Sequence, residues 1–449
     1  MRSIVWFRRD LRRDDHPALA AAAARGPVLG LFVVDPVLAA PVGPTRGRYL
    51  SEALAALDAS SGHHLVIRVG DPAEVLIAVA RETGADAVYA TAETTPRGRA
   101  RDAAVADALA RAAIAWRPHS TPYVVEPGTL RQRDGRPYRV FGAYARAWAE
   151  RAASVPGPVP TPPVTWVRAP GEVPAVVGDV VGTRRPAHFG GLPDAPAPAR
   201  PPAGEDAARE ALLAFAGRAE GFGAVRDDLG RDATSRLSPH LHVGALHPRT
   251  VLAALDAAGQ VAPEFRRRLV WREFYADVLW HEPRSAWHDL RGAGAPPPDR
   301  DGAALVRFSR WARGDTGLPL VDAGMRQLLA EGWMPNRARL VCASFLVKHL
   351  HVDWRWGASW FLWRLVDGDV ASNQHGWQWV AGTGTDAAPY HRIFNPVRQA
   401  ERFDPDGAYT RRHLPERYRP GGVVPAPMVD LAAERREALA RAAMARGAR

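Results

Sequence analysis

The chain has 449 residues, 59 Lys and Arg against 48 Asp and Glu, and a formal net charge of +11. Its 47% apolar and 24% charged content fits a folded soluble protein and excludes a disordered one. A single cysteine, Cys342, excludes an internal disulfide framework and any four-cysteine zinc or iron–sulfur site. There is no run of about 18 uncharged apolar residues, so no membrane span is expected. Arg8, Arg9 and Asp10 interrupt the apolar run Ile4–Phe7, which argues against a signal peptide and makes the cytoplasm the expected location. Almost all the positive charge is Arg, with Lys348 the only lysine. A compositional bias explains the choice of Arg, but the excess of positive charge points to a polyanionic partner.

In the first 120 residues short apolar runs alternate with helical patterns. Ser3–Phe7, Val28–Val34, Leu65–Val69, Ala87–Ala90 and Ala115–Arg117 read as buried strands. Helical segments fall near 17–24, 47–59, 73–83 and 98–113, with Asp71-Pro72 as N-cap and first-turn pair for the third. This alternation predicts an α/β domain with a doubly wound parallel sheet over 1–128. No G-x-G-x-x-G follows a strand, so a nicotinamide dinucleotide site is not indicated. Residues 129–203, proline-dense from 151 onward, read as an interdomain linker. From 204 to 449 the pattern becomes all-α. Eleven of the 15 tryptophans lie between Trp271 and Trp379, a density that serves a large core and also suits base stacking or electron transfer.

Four segments of the helical part carry the chemistry. Thr234-Ser235-Arg236-Leu237-Ser238 precedes a helix start, where hydroxyls and unpaired amides can cradle a phosphate or simply cap the helix. Trp271-Arg272-Glu273-Phe274-Tyr275 lies within a helical pattern, and Trp333-Met334-Pro335-Asn336-Arg337-Ala338-Arg339 opens another. The fourth runs from Asp367-Gly368-Asp369 through Asn373 to Trp377-Gln378-Trp379, followed by Gly384-Thr385-Asp386-Ala387-Ala388-Pro389-Tyr390. Polar groups this dense need partners, and a heteroaromatic ligand with N–H and carbonyl edges supplies them. A divalent metal is the competing reading of Asp367 and Asp369, but no further ligand stands at suitable spacing; no metal is expected.

In this order the segments resemble the photolyase/cryptochrome family, closest to its class I cyclobutane-dimer branch. The resemblance is specific over 222–400 and weak over 1–200. It implies FAD within the helical domain and light-driven repair of pyrimidine dimers in DNA by a monomer. Phe222, Thr234, Ser235, Arg236, Leu237 and Ser238 match positions at the flavin phosphates. Arg272, Asn336, Arg339, Asp367 and Asp369 match positions around the flavin and its sugar, and Asn373 matches the residue opposite its N5. Trp271 and Trp379 match the aromatics flanking the flipped lesion. Arg226, Arg268, Arg337, Arg392 and Gln399 match DNA-facing positions. Trp377 and Trp354 match the first two members of a tryptophan chain that reduces the flavin. The chemistry would be the cofactor's, so no Ser-His-Asp or metal triad is expected.

Some positions depart from the family pattern. Arg268 stands where many dimer photolyases carry a Glu, and it is a donor only. Leu340 replaces a Met of the lesion pocket, and Phe222 replaces a Tyr. No Trp lies between Trp287 and Trp311, where the third member of the chain is expected, so the chain either ends early or runs through Trp356, Trp360 or Trp363, which also read as core residues. Arg97 and Gly98 stand where a folate antenna would need an amide and a carboxylate, which favours a deazaflavin, or no antenna. The alternative function is a cryptochrome-type blue-light receptor that binds FAD without repairing DNA.

Overall fold

A computed structural model describes residues 1–160, 163–168, 182–194, 197, 201–291, 298–386 and 392–447. The N-terminal part alternates β1 (Arg2–Phe7), α1 (Pro17–Arg25), β2 (Val28–Val34), α2 (Pro36–Ala39), α3 (Pro44–Ser60), β3 (Leu65–Val69), α4 (Pro72–Thr83), β4 (Ala85–Thr91), α5 (Pro96–Arg111) and β5 (Ala115–His119). The strands form one parallel sheet in the order β3-β2-β1-β4-β5. Each crossover carries a helix, as parallel pairing requires. Asp71 caps α4 as expected, accepting from the amides of Ala73 and Glu74.

The sheet differs from expectation at its edges. β3 and β5 are only partly buried, whereas β1, β2 and β4 are almost wholly buried. An edge strand has a neighbour on one side only, so its apolar residues need not be covered as fully. The chain order reverses between β1 and β4, and polar groups gather at the carboxyl ends of those strands. Arg8, just past β1, donates to the carbonyl of Thr91 and pairs with Asp102. Asp10 accepts from the Arg8 amide at 2.6 Å and from Thr91 Oγ1 at 2.5 Å, and lies 3.1 Å from His16 Nε2. Burial opposes its ionisation, yet His16 and these hydrogen bonds hold its carboxyl well below the usual carboxylate range.

The helices continue with α6 (Phe141–Ala152), α7 (Glu205–Ala216), α8 (Phe222–Val225), α9 (Ser238–Val243), α10 (Pro248–Ala257), α11 (Pro263–His281), α12 (Gly302–Arg313), α13 (Pro319–Glu331), α14 (Asn336–Lys348), α15 (Trp354–Arg364), α16 (Val370–Ala381), α17 (Pro396–Phe403), α18 (Ala408–His413), α19 (Pro415–Tyr418) and α20 (Leu431–Gly447). Two compact units result. Unit 1 comprises Met1–Arg185, Pro201–Glu220 and Ser235–Pro283; unit 2 comprises Pro186–Arg200, Gly221–Thr234 and Arg284–Arg449.

These limits do not follow boundaries at 128 and 203. The segment 129–203 contains α6, and α9 to α11 cluster with unit 1. Buried carboxylates explain why. Glu273 on α11 accepts from the amides of Val124 (2.7 Å) and Val125 (3.0 Å) and from Trp148 Nε1 on α6 (2.5 Å). Asp277, one turn on, accepts from the Gly128 amide at 2.7 Å. Asp15 binds Thr250 Oγ1 and the Arg249 guanidinium of α10. Each bond satisfies a backbone or side-chain donor that would otherwise be buried unpaired.

Unit 2 is helical, with a core built around Phe308, Trp311, Met325, Phe345, Trp360 and Trp377. Its helices start and stop on local signals. Asp301 caps α12 through the Ala304 amide and Gly314 ends it in the left-handed region; Asp369 and Gly382 do the same for α16. Lys348, the last residue of α14, is buried and donates from Nζ to the carbonyl of Ala381 at 2.8 Å. Burial depresses its pKa to about 7. Among the described residues no helix is long and apolar enough to cross a membrane.

Candidate functional site

In unit 2 the third and fourth segments of the sequence come together. Arg339, in the first turn of α14, donates from Nε to the carbonyl of Met334 (2.8 Å) and from its terminal nitrogen to Asp367 Oδ2 (2.8 Å). Asp367 is nearly buried, and Gly368 leads directly to Asp369, whose carboxylate accepts from the Ser372 amide at 2.9 Å. Asn373 follows in the first turn of α16, its Nδ2 donating to the carbonyl of Ala358 (3.1 Å) and to Gln374 Oε1 (2.7 Å). With both amide hydrogens directed at protein acceptors, Asn373 presents Oδ1 as its remaining hydrogen-bonding atom. Asn336, the first residue of α14, is exposed.

The same helix is held by three buried side chains. Gln374 Nε2 donates to the carbonyl of Ala286 (2.7 Å). Gln378 Nε2 donates to that of Ser285 (2.6 Å), and Gln378 Oε1 accepts from the Leu290 amide (2.8 Å). His375 lies between them with Nε2 3.0 Å from Ser285 Oγ and Nδ1 2.7 Å from the Ala371 carbonyl. Burial lowers its pKa to about 4, so the ring is neutral. A carbonyl only accepts, which places the proton on Nδ1 and leaves Nε2 to accept from the serine. This polar strip ties α16 to 285–290 and fixes where Asn373 and Trp377 stand.

Trp377 is buried and meets Phe361 (4.9 Å between centroids) and Trp311 (6.1 Å), both edge-to-face. It also lies against Gly357 of α15, where a Cβ would come within 2.2 Å of its Cη2. Trp354, one turn before Gly357, donates from its indole N–H to Asp289 Oδ1 at 2.8 Å. Trp379 is half-buried against the unit 2 core. Among the expected DNA-facing residues of unit 2, Arg392 is exposed, while Arg226 and Gln399 are half-buried. Arg337 pairs with Asp227 at 2.9 Å and lies over the Phe403 ring at 4.1 Å. Phe222 opens α8 and is buried. Thr234 ends this unit's central segment, and Ala387–Tyr390 lie outside the described residues.

Unit 1 carries Ser235–Ser238, Arg268, Trp271 and Arg272. Arg236 has a left-handed backbone (φ 51°), and Ser235 Oγ accepts from the Leu237 amide at 3.3 Å. The following helix, α9, starts after Leu237, whose side chain makes no cap hydrogen bond. Trp271 stacks face to face on Phe141 of α6 at 3.8 Å and tilts against Tyr275 at 5.3 Å. Arg272 donates to the carbonyls of Pro122 (2.9 Å) and Leu241 (3.3 Å) and covers the Tyr123 ring. Arg268 is half-buried.

The donor set of unit 2 suits a large ring system with hydrogen-bonding edges. An ion-paired guanidinium, a carboxylate at a helix start and an amide oxygen lie within one loop and the turns beside it. Among the described residues no group of three or more His, Cys, Asp or Glu side chains converges as a metal site would require. Sequence reasoning missed Asp289, Trp311, Gly357 and the partners of Gln374, His375 and Gln378. Only the last three announce themselves, as a polar strip at helical spacing.

The chain thus comprises a unit with a doubly wound parallel sheet and a helical unit that carries this loop. Residues 3–164 match the family model described as DNA photolyase, and residues 265–420 match that of the FAD binding domain of DNA photolyase. The chain belongs to the DNA photolyase family. It is 37% identical to a deoxyribodipyrimidine photo-lyase of Halobacterium salinarum, covering 99% of each chain. Among solved structures it resembles a bacterial class III photolyase from Agrobacterium tumefaciens, with TM-score 0.87, 35% identity, and 99% and 98% of the two chains covered. It also resembles a Synechocystis cryptochrome, with TM-score 0.85, 26% identity, and 98% and 99% covered.

Proposed function

We propose that the protein repairs cyclobutane pyrimidine dimers in DNA as a light-driven, FAD-dependent carbon–carbon lyase. The observation that carries this reading is end-to-end likeness to a deoxyribodipyrimidine photo-lyase, joined to the Arg339–Asp367 pair and Asn373 at the start of α16. Bound FAD supplies light absorption and the electron that opens the dimer ring. The chain's own residues hold and orient the reacting groups. Arg339, Asp367, Asp369 and Asn373 bind the flavin ring and sugar side, with Asn336 beside them. Phe222, Thr234–Ser238 and Arg272 hold the phosphate side. Trp271 and Trp379 flank the flipped lesion, and the stack of Trp271 on Phe141 fixes one platform before DNA arrives. Arg226, Arg268, Arg337, Arg392 and Gln399 meet the DNA and offset its charge. Trp377 and Trp354 feed electrons inward. The enzyme works as a cytoplasmic monomer.

For an antenna the reading favours a deazaflavin, or none, over folate; a second chromophore would sit at the carboxyl ends of β1 and β4. Ligands of doubly wound sheets bind at this reversal of strand order. The receptor alternative draws on the likeness to a cryptochrome and on Arg268, which offers no acceptor to a pyrimidine N–H. Repair of a dimer-containing oligonucleotide with and without blue light separates the two. Light-dependent return of intact pyrimidines supports repair; a flavin-loaded protein that leaves the dimer intact under reductant and prolonged light overturns it.

A further inference from the structure

We infer that Asp289 is the proton acceptor that ends the tryptophan chain at Trp354. The inference rests on the reading of Trp377 and Trp354 as the path of flavin photoreduction. Trp354 is buried, and its only polar hydrogen points at Asp289 Oδ1, 2.8 Å away. That separation is within the reach required for direct proton transfer. The carboxylate is fixed in place: Arg355 donates to the same oxygen at 3.1 Å, to Asp353 at 3.2 Å and to the carbonyl of Trp287 at 2.7 Å. Asp289 is also about a third exposed, so water can take the proton onward.

The step balances as follows. The oxidant is a photoexcited oxidised flavin; one electron passes to it from Trp377, and one passes from Trp354 to refill Trp377. Trp354 is left as a radical cation, whose indole N–H is far more acidic than that of the neutral ring. The N–H bond breaks, the pair of electrons in it stays on nitrogen, and an O–H bond forms on Asp289. Trp354 becomes a neutral radical, which no longer carries the positive charge that draws the electron back. A chain without a tryptophan between Trp287 and Trp311 thereby retains its charge separation with two members instead of three.

Time-resolved absorption on the flavin-loaded protein tests this, because cation and neutral tryptophanyl radicals have different visible bands. Wild type is expected to form the neutral radical promptly and more slowly in D2O. Asp289→Asn keeps an acceptor for the indole N–H but no base, and is expected to slow the cation's decay to the neutral form on the order of 10²-fold. Asp289→Ser, smaller and equally non-basic, is expected to behave alike. Arg355→Gln removes the ion pair but keeps the base, and is expected to retain prompt deprotonation. Unchanged deprotonation in both Asp289 variants, or equal slowing in Arg355→Gln, overturns the assignment. Tryptophanyl signals that persist unaltered in Trp354→Phe would instead remove the two-member path itself, and the assignment with it.

Discussion

Trp377 occupies the space that a side chain at residue 357 would fill: a Cβ on Gly357 would stand 2.2 Å from Trp377 Cη2 and 2.6 Å from Leu346 Cδ2. Glycine inside a helix costs about 1 kcal/mol relative to alanine, so Gly357→Ala would stabilise α15 if nothing opposed it. Here the methyl group meets a buried ring that is itself braced by Phe361 and Trp311. Overpacking of this kind costs about 1–3 kcal/mol, which exceeds the helical gain. Gly357→Ala is therefore expected to lower stability in urea unfolding and to shift the fluorescence of Trp377. A variant more stable than wild type would contradict the contact.

The Arg339–Asp367 pair predicts a defect in cofactor retention. Asp367→Asn leaves Arg339 without its charged partner, and Arg339 is about a quarter exposed, so solvent recovers part of the loss. The expected cost is about 1–3 kcal/mol, read as a rise of roughly 5- to 150-fold in the FAD dissociation constant. Fluorescence titration of flavin into stripped protein measures it. Equal affinity in the two proteins would separate this loop from the flavin.

For Trp379, replacement by alanine is expected to weaken binding of dimer-containing DNA by about 1–3 kcal/mol through lost stacking. Undamaged DNA should bind nearly as before, since phosphate contacts supply most of that affinity. Competition binding with matched irradiated and intact duplexes gives the comparison. An equal loss on both would show that Trp379 is not a lesion platform.

Stability should depend on pH through Asp277. Burial pushes its carboxyl up to about 6, against the opposing pull of the Gly128 amide and Arg131. Since the folded state holds the proton more tightly than the unfolded chain, the gain from protonation is complete below about pH 4 and lost as pH rises through about 6. Asp277→Asn keeps an acceptor for the Gly128 amide and has no charge to bury. It is expected to gain up to about 2–3 kcal/mol at neutral pH and to flatten that decline. Urea unfolding at stepped pH reads both; an unchanged slope would mean that Asp277 ionises without penalty.

Most of the sheet was legible because its signals are local. Val28–Val34 and Leu65–Val69 have the strand ends that their apolar runs suggest, and Asp71-Pro72 marks a helix start. Edge position was not legible, since Leu65–Val69 reads the same whether one side or both is covered. Helix α6 was hidden by neighbouring prolines, and its role depends on Glu273, more than a hundred residues away. The loop of Asp367 and Asp369 stood out by composition. Asp289 did not: a lone carboxylate acquires meaning only from Trp354, which lies 65 positions on and reaches it through the fold. Trp311 likewise reads as core until its ring is seen against Trp377.

The single lysine has a practical consequence. Within these 449 residues, reagents that acylate side-chain amines find one target, and that amine is buried between the ends of α14 and α16. Its depressed pKa leaves much of it unprotonated near neutrality, so chemistry at Lys348 is limited by access and not by charge. The extent of acylation at that one position, followed by mass spectrometry, becomes a clock for the opening of unit 2. The 58 arginines are untouched by the reagent and leave the reading undisturbed.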